Sequence, residues 1–342
     1  MIRTAVIGAT GYTGAELIKI LLRHPNVKIA ALTTRQPKPI PVRQIVPTLP
    51  EDVPFEIEPF SFPQLKKKAD LVFLCLPHTE SALTGEKFRK AGKIVIDLSA
   101  DFRLRQVPVY EKWYGVEHPR PALLKEAVYG LPELFREKIR KADLIANPGC
   151  YPTGASLGII PLLKKRLIDP ERIIIDAKSG VSGAGKKLTP ATQYCEVEGN
   201  FLAYKVGKHQ HTPEIEQTLS GVLGREVKAT FVTHLLPVSR GILSTIYLTR
   251  KKGVSAAEVR EAFAEFYRRE PFVRVNPEGA FPSLADVRHT NYCDIGILAG
   301  EDSTQVVVVT AIDNLLKGAS GQAVQNMNIR CGFSEEAGIQ AW

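Results

Sequence analysis

The sequence has few cysteines and lacks any long hydrophobic segment. No apolar run reaches the ~20 residues that a membrane helix requires. The five cysteines are odd in number and widely scattered, at positions 75, 150, 195, 293 and 331, which argues against a disulfide framework or a paired-cysteine metal site. The first residues lead directly into a predicted strand, without the pattern of a secretory signal. We therefore expect a cytoplasmic protein in a reducing compartment.

Acidic residues are also outnumbered, 36 against 45 lysines and arginines, which gives a formal net charge of +9. The basic residues are dispersed and form no stripe, so nucleic acid is a poor candidate partner. An anionic substrate or cofactor fits the charge better, although a generally basic surface explains it too. The content of 44% hydrophobic and 24% charged residues is typical of a globular protein, and 342 residues predict about two domains.

One cysteine lies in a segment of unusual composition, Asn147-Pro148-Gly149-Cys150-Tyr151-Pro152-Thr153-Gly154. An apolar run from Ala155 to Leu167 predicts a helix after it, with Thr153 as the candidate N-cap. Cys150 would then lie just before a helix N-terminus, where the macrodipole favours the nucleophilic thiolate. The alternative is a buried structural cysteine. Because the flanking prolines and glycines predict a tight turn that presents the side chain, we favour a nucleophile.

The N-terminal residues predict a dinucleotide-binding fold. A strand over 4–7, a glycine turn, a helix over 15–23 and a strand over 28–33 follow one another, which is the context of a pyrophosphate-binding turn. The G-x-x-G-x-x-G spacing departs from the usual G-x-G-x-x-G, and a purely structural glycine turn is the alternative. We favour cofactor binding, and the turn residues assigned to it are Gly8, Thr10, Gly11, Tyr12, Thr13 and Gly14.

The end of the second strand indicates which nucleotide binds. An NAD site places an acid there for the ribose hydroxyl, but this chain has Thr34-Arg35 and no acid until Glu51. A hydroxyl and a guanidinium suit a 2′-phosphate. We therefore expect NADP, with Thr34 and Arg35 at its 2′-phosphate.

Strands and helices continue to alternate after a proline-rich segment, 36–63, that predicts a surface excursion. The predicted elements are a strand at 71–76, a helix at 80–91 and a strand at 94–97. This alternation predicts a doubly wound parallel sheet of the Rossmann type, whose ligands gather at the carboxyl ends of the strands. Pro77 lies at such an end and is assigned to the cofactor.

Two further residues at strand ends have two interpretations each. His78 either stabilises its loop or serves the reaction. Arg103, in the run Ser99-Ala100-Asp101-Phe102-Arg103, either pairs with Asp101 or anchors an anionic group of the substrate.

After Pro170 the pattern changes, and several of the predicted strands adjoin without a helix between them. They lie at 172–178, 227–235, 241–249, 294–298 and 305–312, with an amphipathic helix at 255–269. This pattern predicts an α+β domain with a mixed or antiparallel sheet, whose open face we expect to pair with a second subunit. The glycine-rich loop 179–187 ends in two lysines and either holds an anion, acts as a lid, or is a plain linker.

The segment His209-Gln210-His211-Thr212-Pro213-Glu214 is a second candidate for chemistry. Thr212 can cap a helix that begins at Pro213. Solvent exposure of both histidines is the alternative, and a metal site lacks an evident third ligand. A nucleophilic cysteine needs a nearby acid or base, so we assign His209 and His211 as candidates without choosing between them.

The small residues at 318–321 open a final helix that we expect to return to the first domain. We place the dinucleotide-binding domain at 1–149, the catalytic and oligomerisation domain at 150–312, and the returning C-terminal helix at 313–342.

Several of these segments together resemble the N-acetyl-gamma-glutamyl-phosphate reductases of arginine biosynthesis, relatives of aspartate-semialdehyde dehydrogenase. The segments that carry the resemblance span nearly the whole chain, at 8–14, 99–103, 130–133, 147–154, 179–186, 209–214 and 313–323. A sister branch, the aminoadipyl-phosphate reductases of lysine biosynthesis, looks different around the cysteine. The segment at 147–154 therefore favours the arginine branch.

The resemblance implies an NADP-dependent acyl-phosphate reductase. Cys150 would form a thioester that is reduced to the semialdehyde, and His209 or His211 would move the proton. It also implies further ligands: Ser179, Gly180 and Asn314 for the cofactor, and Arg103, Asn147, Lys186 and Arg240 for the substrate. No metal is implied, and a homodimer or homotetramer is expected. The rival interpretations are a non-catalytic NADP-binding protein and an ordinary NADP dehydrogenase without a cysteine step.

Overall fold

The computed structural model describes residues 1–51 and 53–339, and the chain divides into two compact units. The first unit comprises Met1–Pro148 together with the described residues from Ala319 onward, and the second comprises Gly149–Gly318. The last three residues of the predicted C-terminal segment, 340–342, lie outside the described residues. Within the described residues, no helix combines the length and apolar character needed to cross a membrane.

The first unit contains an eight-stranded sheet. Its strands are β1 Ile2–Ile7, β2 Val27–Thr34, β3 Ile40–Pro41, β4 Glu56–Pro59, β5 Leu71–Leu74, β6 Ile94–Asp97, β7 Val128–Tyr129 and β8 Leu144–Ala146. They lie in the order β3-β4-β2-β1-β5-β6-β8-β7. The described pairings are parallel, except that β3 runs antiparallel to β4.

Six neighbouring strands of this sheet lie in the order β4-β2-β1-β5-β6-β8. This is the 3-2-1-4-5-6 order of a dinucleotide-binding fold, which confirms the predicted Rossmann-type sheet. The chain changes direction across the sheet between β1 and β5, so the ligand crevice is expected at their carboxyl ends. The central strands are buried on both faces because helices cover them, and Val6, Phe73 and Ile145 are inaccessible to solvent.

One part of the first-unit prediction was wrong. Segment 36–63 is more than a surface excursion, since it contributes β3 and β4 to the sheet. The buried side chains of Ile40 and Ile57 face one another in that pairing, and this apolar contact draws the segment onto the sheet edge. The helices of this part are α1 Tyr12–Arg23, α2 Val42–Ile45, α3 Phe62–Lys68, α4 Ser81–Lys90, α5 Val107–Tyr114 and α6 Pro132–Ile139.

The second unit contains a seven-stranded mixed sheet, as predicted. Its strands are β9 Ile174–Gly180, β10 Leu202–Tyr204, β11 Thr230–Leu236, β12 Ile242–Thr249, β13 Val273–Val275, β14 Cys293–Ala299 and β15 Gln305–Ile312, in the order β10-β11-β9-β12-β15-β14-β13. Its helices are α7 Cys150–Leu157, α8 Ile160–Lys164, α9 Tyr194–Val197, α10 Thr212–Leu223, α11 Ala256–Tyr267 and α12 Leu284–Val287.

The two faces of this second sheet differ. Side chains alternate along β12, with Ile242, Ser244, Ile246 and Leu248 buried. Gly158, the C-cap residue of α7, allows close packing on that face, since an added Cβ there would collide with Ile246. The opposite face exposes apolar side chains such as Ile174 and Leu298.

The helix after the cysteine differs from its prediction. It begins at Cys150, earlier than the predicted Ala155, and gives way to α8 at Ile160. Gly149, with an extended backbone, is its N-cap. Thr153 lies inside the helix and its hydroxyl donates to the Gly149 carbonyl oxygen at 2.9 Å, so the predicted Thr153 cap was wrong.

The chain returns to the first unit through a π-helical turn, Leu316–Ser320, and helix α13, Gly321–Cys331. Polar side chains of α13 are buried and hydrogen-bonded. Asn326 donates to the Gly130 carbonyl oxygen at 2.9 Å, and Asn328 contacts the imidazole of His24 at 2.8 Å. These bonds fix the helix within the first unit, because an unsatisfied buried amide would be costly.

Candidate active site

The glycine turn after β1 has the geometry of a pyrophosphate-binding turn. Gly8 has a φ of 86°, which favours glycine, and an added Cβ there would collide with the Cys75 carbonyl group. An added Cβ at Gly14 would lie 2.7 Å from the backbone of Ala9, so that glycine permits the close approach of α1 to the turn that follows β1. Gly11 is the N-cap of α1, and an added Cβ there would lie 3.9 Å from the Gly8 carbonyl oxygen, an ordinary van der Waals contact.

Because α1 begins at Tyr12, the backbone N–H groups of Tyr12 and Thr13 belong to its first turn and suit a phosphate. Thr10 lies between two of these glycines, in the same turn.

A pocket of about 120 Å³ lies at the carboxyl ends of β1 and β2. It is lined by Ile7, Gly8, Thr33, Thr34, Arg35, Phe60, Leu76, Glu80 and Thr84. Thr34 is buried, and its hydroxyl accepts from the Gln36 amide at 3.2 Å. Arg35 is exposed and donates to both carboxylate oxygens of Glu80 at 2.8 and 2.7 Å.

Sequence reasoning missed Glu80 and Phe60 as parts of this pocket. The acid of an NAD site was expected in the chain directly after β2. Glu80 instead follows β5, which lies next to β1 in the sheet. Since the carboxyl ends of neighbouring parallel strands meet, the run Pro77-His78-Thr79-Glu80 could have signalled it. Pro77 lies in the same run, and its cofactor assignment stays a prediction.

Two buried carboxylates hold the loop after β5. Asp97 accepts hydrogen bonds from the hydroxyls of Ser81 and Ser99. Asp101 accepts from the amides of Thr79 and Ala82, at 2.6 and 2.9 Å. Burial, together with the nearby Asp101 charge, raises the pKa of Asp97 to about 6. The residues that hydrogen-bond Asp97 and Asp101 are called the carboxylate network below.

Arg103 and Asn147 are held by backbone carbonyls. Arg103 is buried and donates to the carbonyl oxygens of Asn147 and Leu98, each at 2.8 Å. The Asn147 amide donates to the Ala319 carbonyl oxygen at 3.0 Å and accepts from Asn326 at 3.0 Å. His78 accepts from the Ala100 amide at 3.0 Å, as its loop-stabilising interpretation requires. The substrate assignments of Arg103 and Asn147 stay predictions.

Cys150 is the first residue of α7 and is partly buried. At this position the N–H groups of the first turn and the helix dipole favour a thiolate. The preceding backbone is fixed, because the Gly149 amide donates to the buried carboxylate of Glu214 at 2.8 Å. Glu214 itself lies in the first turn of α10.

Gly318, in the π-helical turn, packs directly against the cysteine. An added Cβ at Gly318 would lie 2.9 Å from the Cβ of Cys150. The Gly318 amide donates to the Asp313 carbonyl oxygen at 2.9 Å, which fixes the turn. The close approach therefore needs glycine at this position, and π-turns of this kind often occur at functional sites.

The two candidate histidines lie in a group of rings, here called the imidazole cluster: Tyr151, Tyr204, His209, His211 and Phe231. The ring centroids of His209 and His211 are 4.9 Å apart, and the Tyr151 ring is 5.2 Å from His209 and 6.0 Å from His211. Tyr151, the residue after Cys150, thus contacts both histidines. The structure brings them together within the second unit.

The two histidines differ in environment. His209 is buried, and burial, aided by the Lys205 charge, lowers its pKa to about 4. Its Nδ1 accepts from the His211 amide at 3.1 Å, so the neutral ring carries its proton on Nε2. His211 is only partly buried and occupies the N-cap of α10, which replaces the predicted Thr212 cap.

The remaining predicted ligands of the second unit are held in polar contacts. Arg240 forms a buried two-point ion pair with Asp313, both contacts at 3.0 Å. Asn314 accepts from the Gly241 amide at 2.7 Å and donates to the Ser182 hydroxyl at 2.9 Å. The Gly180 amide donates to the Gly241 carbonyl oxygen at 2.9 Å.

Two more predicted ligands belong to the same segment as Gly180. Ser179 is buried, whereas Lys186 is exposed. The assignments of Ser179, Gly180, Lys186, Arg240 and Asn314 stay predictions.

Two family models match the chain, one for each unit. The NAD-binding domain of semialdehyde dehydrogenases matches residues 3–142, and their dimerisation domain matches residues 150–314. The fold agrees with aspartate semialdehyde dehydrogenase II from Vibrio cholerae in complex with ASA, at a TM-score of 0.71 and 16% identity over 97% of this chain and 98% of that one.

The NADP-bound aspartate semialdehyde dehydrogenase from Candida albicans gives a TM-score of 0.70 at 18% identity, over 96% of this chain and 98% of that one. Fold and domain matches thus define the semialdehyde dehydrogenase class.

Two curated relatives specify the family within that class. The N-acetyl-gamma-glutamyl-phosphate reductase of Pelotomaculum thermopropionicum is 50% identical over 99% of this chain and 97% of its own length. That of Geobacter metallireducens is 52% identical over 99% of this chain and 98% of its own length. The chain belongs to the N-acetyl-gamma-glutamyl-phosphate reductase family, and it is an enzyme.

Proposed function

We propose that the protein reduces N-acetyl-gamma-glutamyl phosphate to N-acetylglutamate 5-semialdehyde and phosphate with NADPH, as a step of arginine biosynthesis, through a thioester on Cys150. The observation that carries the proposal is the placement of this partly buried cysteine at the first position of α7. The family membership and the adjacent imidazole cluster support it.

The residues of the first unit fit a dinucleotide. The glycine turn and the first-turn N–H groups of α1 suit a pyrophosphate, and Arg35 suits a 2′-phosphate. When bound, the reduced nicotinamide supplies a hydride to an electrophilic carbon. We assign Gly8, Thr10, Gly11, Tyr12, Thr13, Gly14, Thr34, Arg35 and Pro77 to cofactor binding in this unit, and Ser179, Gly180 and Asn314 in the second.

The first chemical step is acyl transfer to sulfur. The Cys150 thiolate attacks the acyl carbon, a C–S bond forms, and the C–O bond to phosphate breaks with its electron pair on the leaving oxygen. The first-turn amides of α7 suit the oxyanion that develops on the acyl oxygen. After reduction of the thioester carbon, the C–S bond breaks and the sulfur leaves as a thiolate.

We assign proton transfer to His211 and a positioning role to His209. His209 has a pKa of about 4 and its Nδ1 is engaged by a backbone amide, so it is a poor base at neutral pH. His211, adjacent and less buried, is better suited to take the thiol proton and pass it to the departing phosphate.

Fixed cations are proposed for the anionic ends of the substrate. Arg103 and Lys186 are assigned to its phosphate and Arg240 to its carboxylate, with Asn147 as a further ligand. The guanidinium groups of Arg103 and Arg240 are oriented by hydrogen bonds that hold them in one geometry, and preorganised cations bind with less loss of entropy.

The open face of the second sheet is the proposed contact between subunits of a homodimer or homotetramer. It exposes apolar side chains such as Ile174 and Leu298, and the matching family model is a dimerisation domain. Burial of this face against a second copy would remove apolar area from water.

The decisive assay follows NADP reduction with N-acetylglutamate semialdehyde, with and without phosphate, beside the aspartate and aminoadipate analogues. We expect phosphate-dependent reduction of NADP that is fastest with the acetylglutamate compound. Phosphate-independent turnover would show an ordinary dehydrogenase, and a preference for the aminoadipate compound would place the enzyme in lysine biosynthesis.

A further inference from the structure

An acid occupies the pocket in which the adenosine part of the cofactor is proposed to bind. Glu80 lines this pocket beside Arg35, and one nitrogen of Arg35, Nη1, donates to both oxygens of the Glu80 carboxylate. The side chains are 64% and 46% exposed, so the ion pair contributes little to stability. Because the ion pair lies in the pocket, it affects the binding of a ligand more than it affects stability.

The backbone around Glu80 is fixed on both sides. The amides of Thr79 and Ala82 both donate to the buried carboxylate of Asp101. Thr79 has a φ of 76°, a conformation that a β-branched residue rarely adopts, and the Asp101 contact holds it there. Glu80 is therefore directed at Arg35 by a built loop, as the N-cap residue of α4.

A 2′-phosphate at Arg35 would lie close to this carboxylate. Like charges a few ångströms apart in a solvent-exposed site weaken binding by roughly three- to tenfold. An unphosphorylated ribose presents a 2′-hydroxyl instead, which can donate a hydrogen bond to a carboxylate. In NAD sites an acid accepts this hydrogen bond. The pocket thus holds one residue suited to each nucleotide.

We propose that Glu80 sets the cofactor selectivity of this site. Its carboxylate competes with the 2′-phosphate for Arg35 and offers an acceptor to a free 2′-hydroxyl, so the site prefers NADP less strongly than Arg35 alone would dictate. The proposal rests on the proposed binding of NADP at Arg35.

The test uses two nucleotides that differ only at the 2′ position, adenosine 2′,5′-bisphosphate and 5′-AMP, titrated calorimetrically into the full chain. In E80Q, the Kd of the bisphosphate should fall about three- to tenfold while that of 5′-AMP stays constant or rises. E137Q, which alters the exposed carboxylate paired with Arg140, is the matched control and should change neither. An unchanged ratio of the two Kd values in E80Q, or weaker binding of the bisphosphate, would overturn the proposal.

The R35A variant distinguishes a failure of the proposed NADP site from a failure of the proposed role of Glu80. If R35A leaves the bisphosphate Kd unchanged, the proposed NADP site is wrong and the inference about Glu80 is lost with it. If R35A weakens the bisphosphate at least tenfold but E80Q leaves the ratio unchanged, the NADP site stands and only the inference about Glu80 fails. Since like-charge repulsion is screened by salt, the gain in E80Q should also shrink at high ionic strength.

Discussion

Two buried titratable sites, one in each unit, differ in what surrounds them. In the first, the carboxylate network satisfies Asp97 and Asp101 with hydroxyl and amide donors. In the second, aromatic edges surround His209, so burial keeps it neutral. The first arrangement fixes the shape of a loop, and the second fixes the protonation state of a ring. A binding surface needs constant geometry, whereas a ring that positions a proton-transfer group needs a fixed protonation state.

The largest expected effect is at the sulfur. Cys150→Ala should abolish turnover, with a loss of at least about 10³-fold, because the covalent route has no other nucleophile. Cofactor binding should persist, since the proposed pyrophosphate turn belongs to the other unit. Steady-state assays and calorimetric titration with NADP measure the two quantities.

Cys195→Ser, at an exposed cysteine of the same unit, is the control and should remain active. Substantial activity in Cys150→Ala would show that the second unit contributes binding and no covalent chemistry.

The next effect tests the packing around the sulfur. Gly318→Ala places a methyl group against the Cβ of Cys150 and should displace the thiolate, with a loss in kcat of about 10–10²-fold. Gly300→Ala, where an added Cβ meets open space, is the matched control. Alkylation rates of Cys150 give an independent measure, and equal rates in both variants would refute the proposed contact.

The pH dependence of stability should have opposite signs in the two units. The pKa of His209 is lowered to about 4, so its stabilising contribution is complete above about pH 6.5 and is lost as the pH falls toward 4. The pKa of Asp97 is raised to about 6, so its contribution is complete below about pH 4 and is lost as the pH rises through 6. Each contribution changes by at most about 1.4 kcal/mol per pH unit.

Calorimetric unfolding of His209→Asn and Asp97→Asn between pH 4.5 and 7.5 measures these slopes. On acidification, the His209→Asn variant should lose less free energy of unfolding than the wild type loses. The Asp97→Asn variant lacks the contribution that grows as the pH falls, so its free energy of unfolding should gain less than that of the wild type. Parallel pH curves for the wild type and both variants would remove the contrast between the units.

The smallest effect concerns Thr79, in the loop that the carboxylate network holds. Its positive φ costs about 1–2 kcal/mol for a residue with a Cβ, and glycine relieves that cost while losing roughly 0.5–1 kcal/mol of chain entropy. Thr79→Gly should therefore raise Tm slightly. A marked fall in Tm, by thermal melting, would show that the Thr79 side chain itself stabilises the loop.

The bounds of strands and helices that depend only on neighbouring residues were predicted well from the sequence. The strand at 94–97 and the strand at 305–312 match their predictions because each is a compact apolar run. The capping box at Ser255 and Glu258 places the start of α11 within one residue of its prediction. The start of α7 was misplaced because Gly149 serves as its N-cap without a side-chain signal.

Contacts between distant residues could not be predicted from local pattern. Glu80 meets Arg35 across 45 positions of the chain. Arg35 follows β2 and Glu80 follows β5, and only the order β2-β1-β5 in the sheet brings them together. The approach of Gly318 to Cys150 depends in the same way on a π-turn, which has no simple periodicity. His209 and His211 are two positions apart but differ in environment, because the rings of Tyr204 on β10 and Phe231 on β11 pack against His209.

Acylation of Cys150 before reduction is the central claim, and mass spectrometry after rapid quenching tests it directly. The full chain is mixed with N-acetyl-gamma-glutamyl phosphate in the absence of NADPH, quenched in acid and digested. We expect one acyl group on Cys150, release of an equal amount of phosphate, and loss of the acyl group on addition of NADPH. Phosphate release only when NADPH is present, with Cys150 unmodified throughout, would contradict the account.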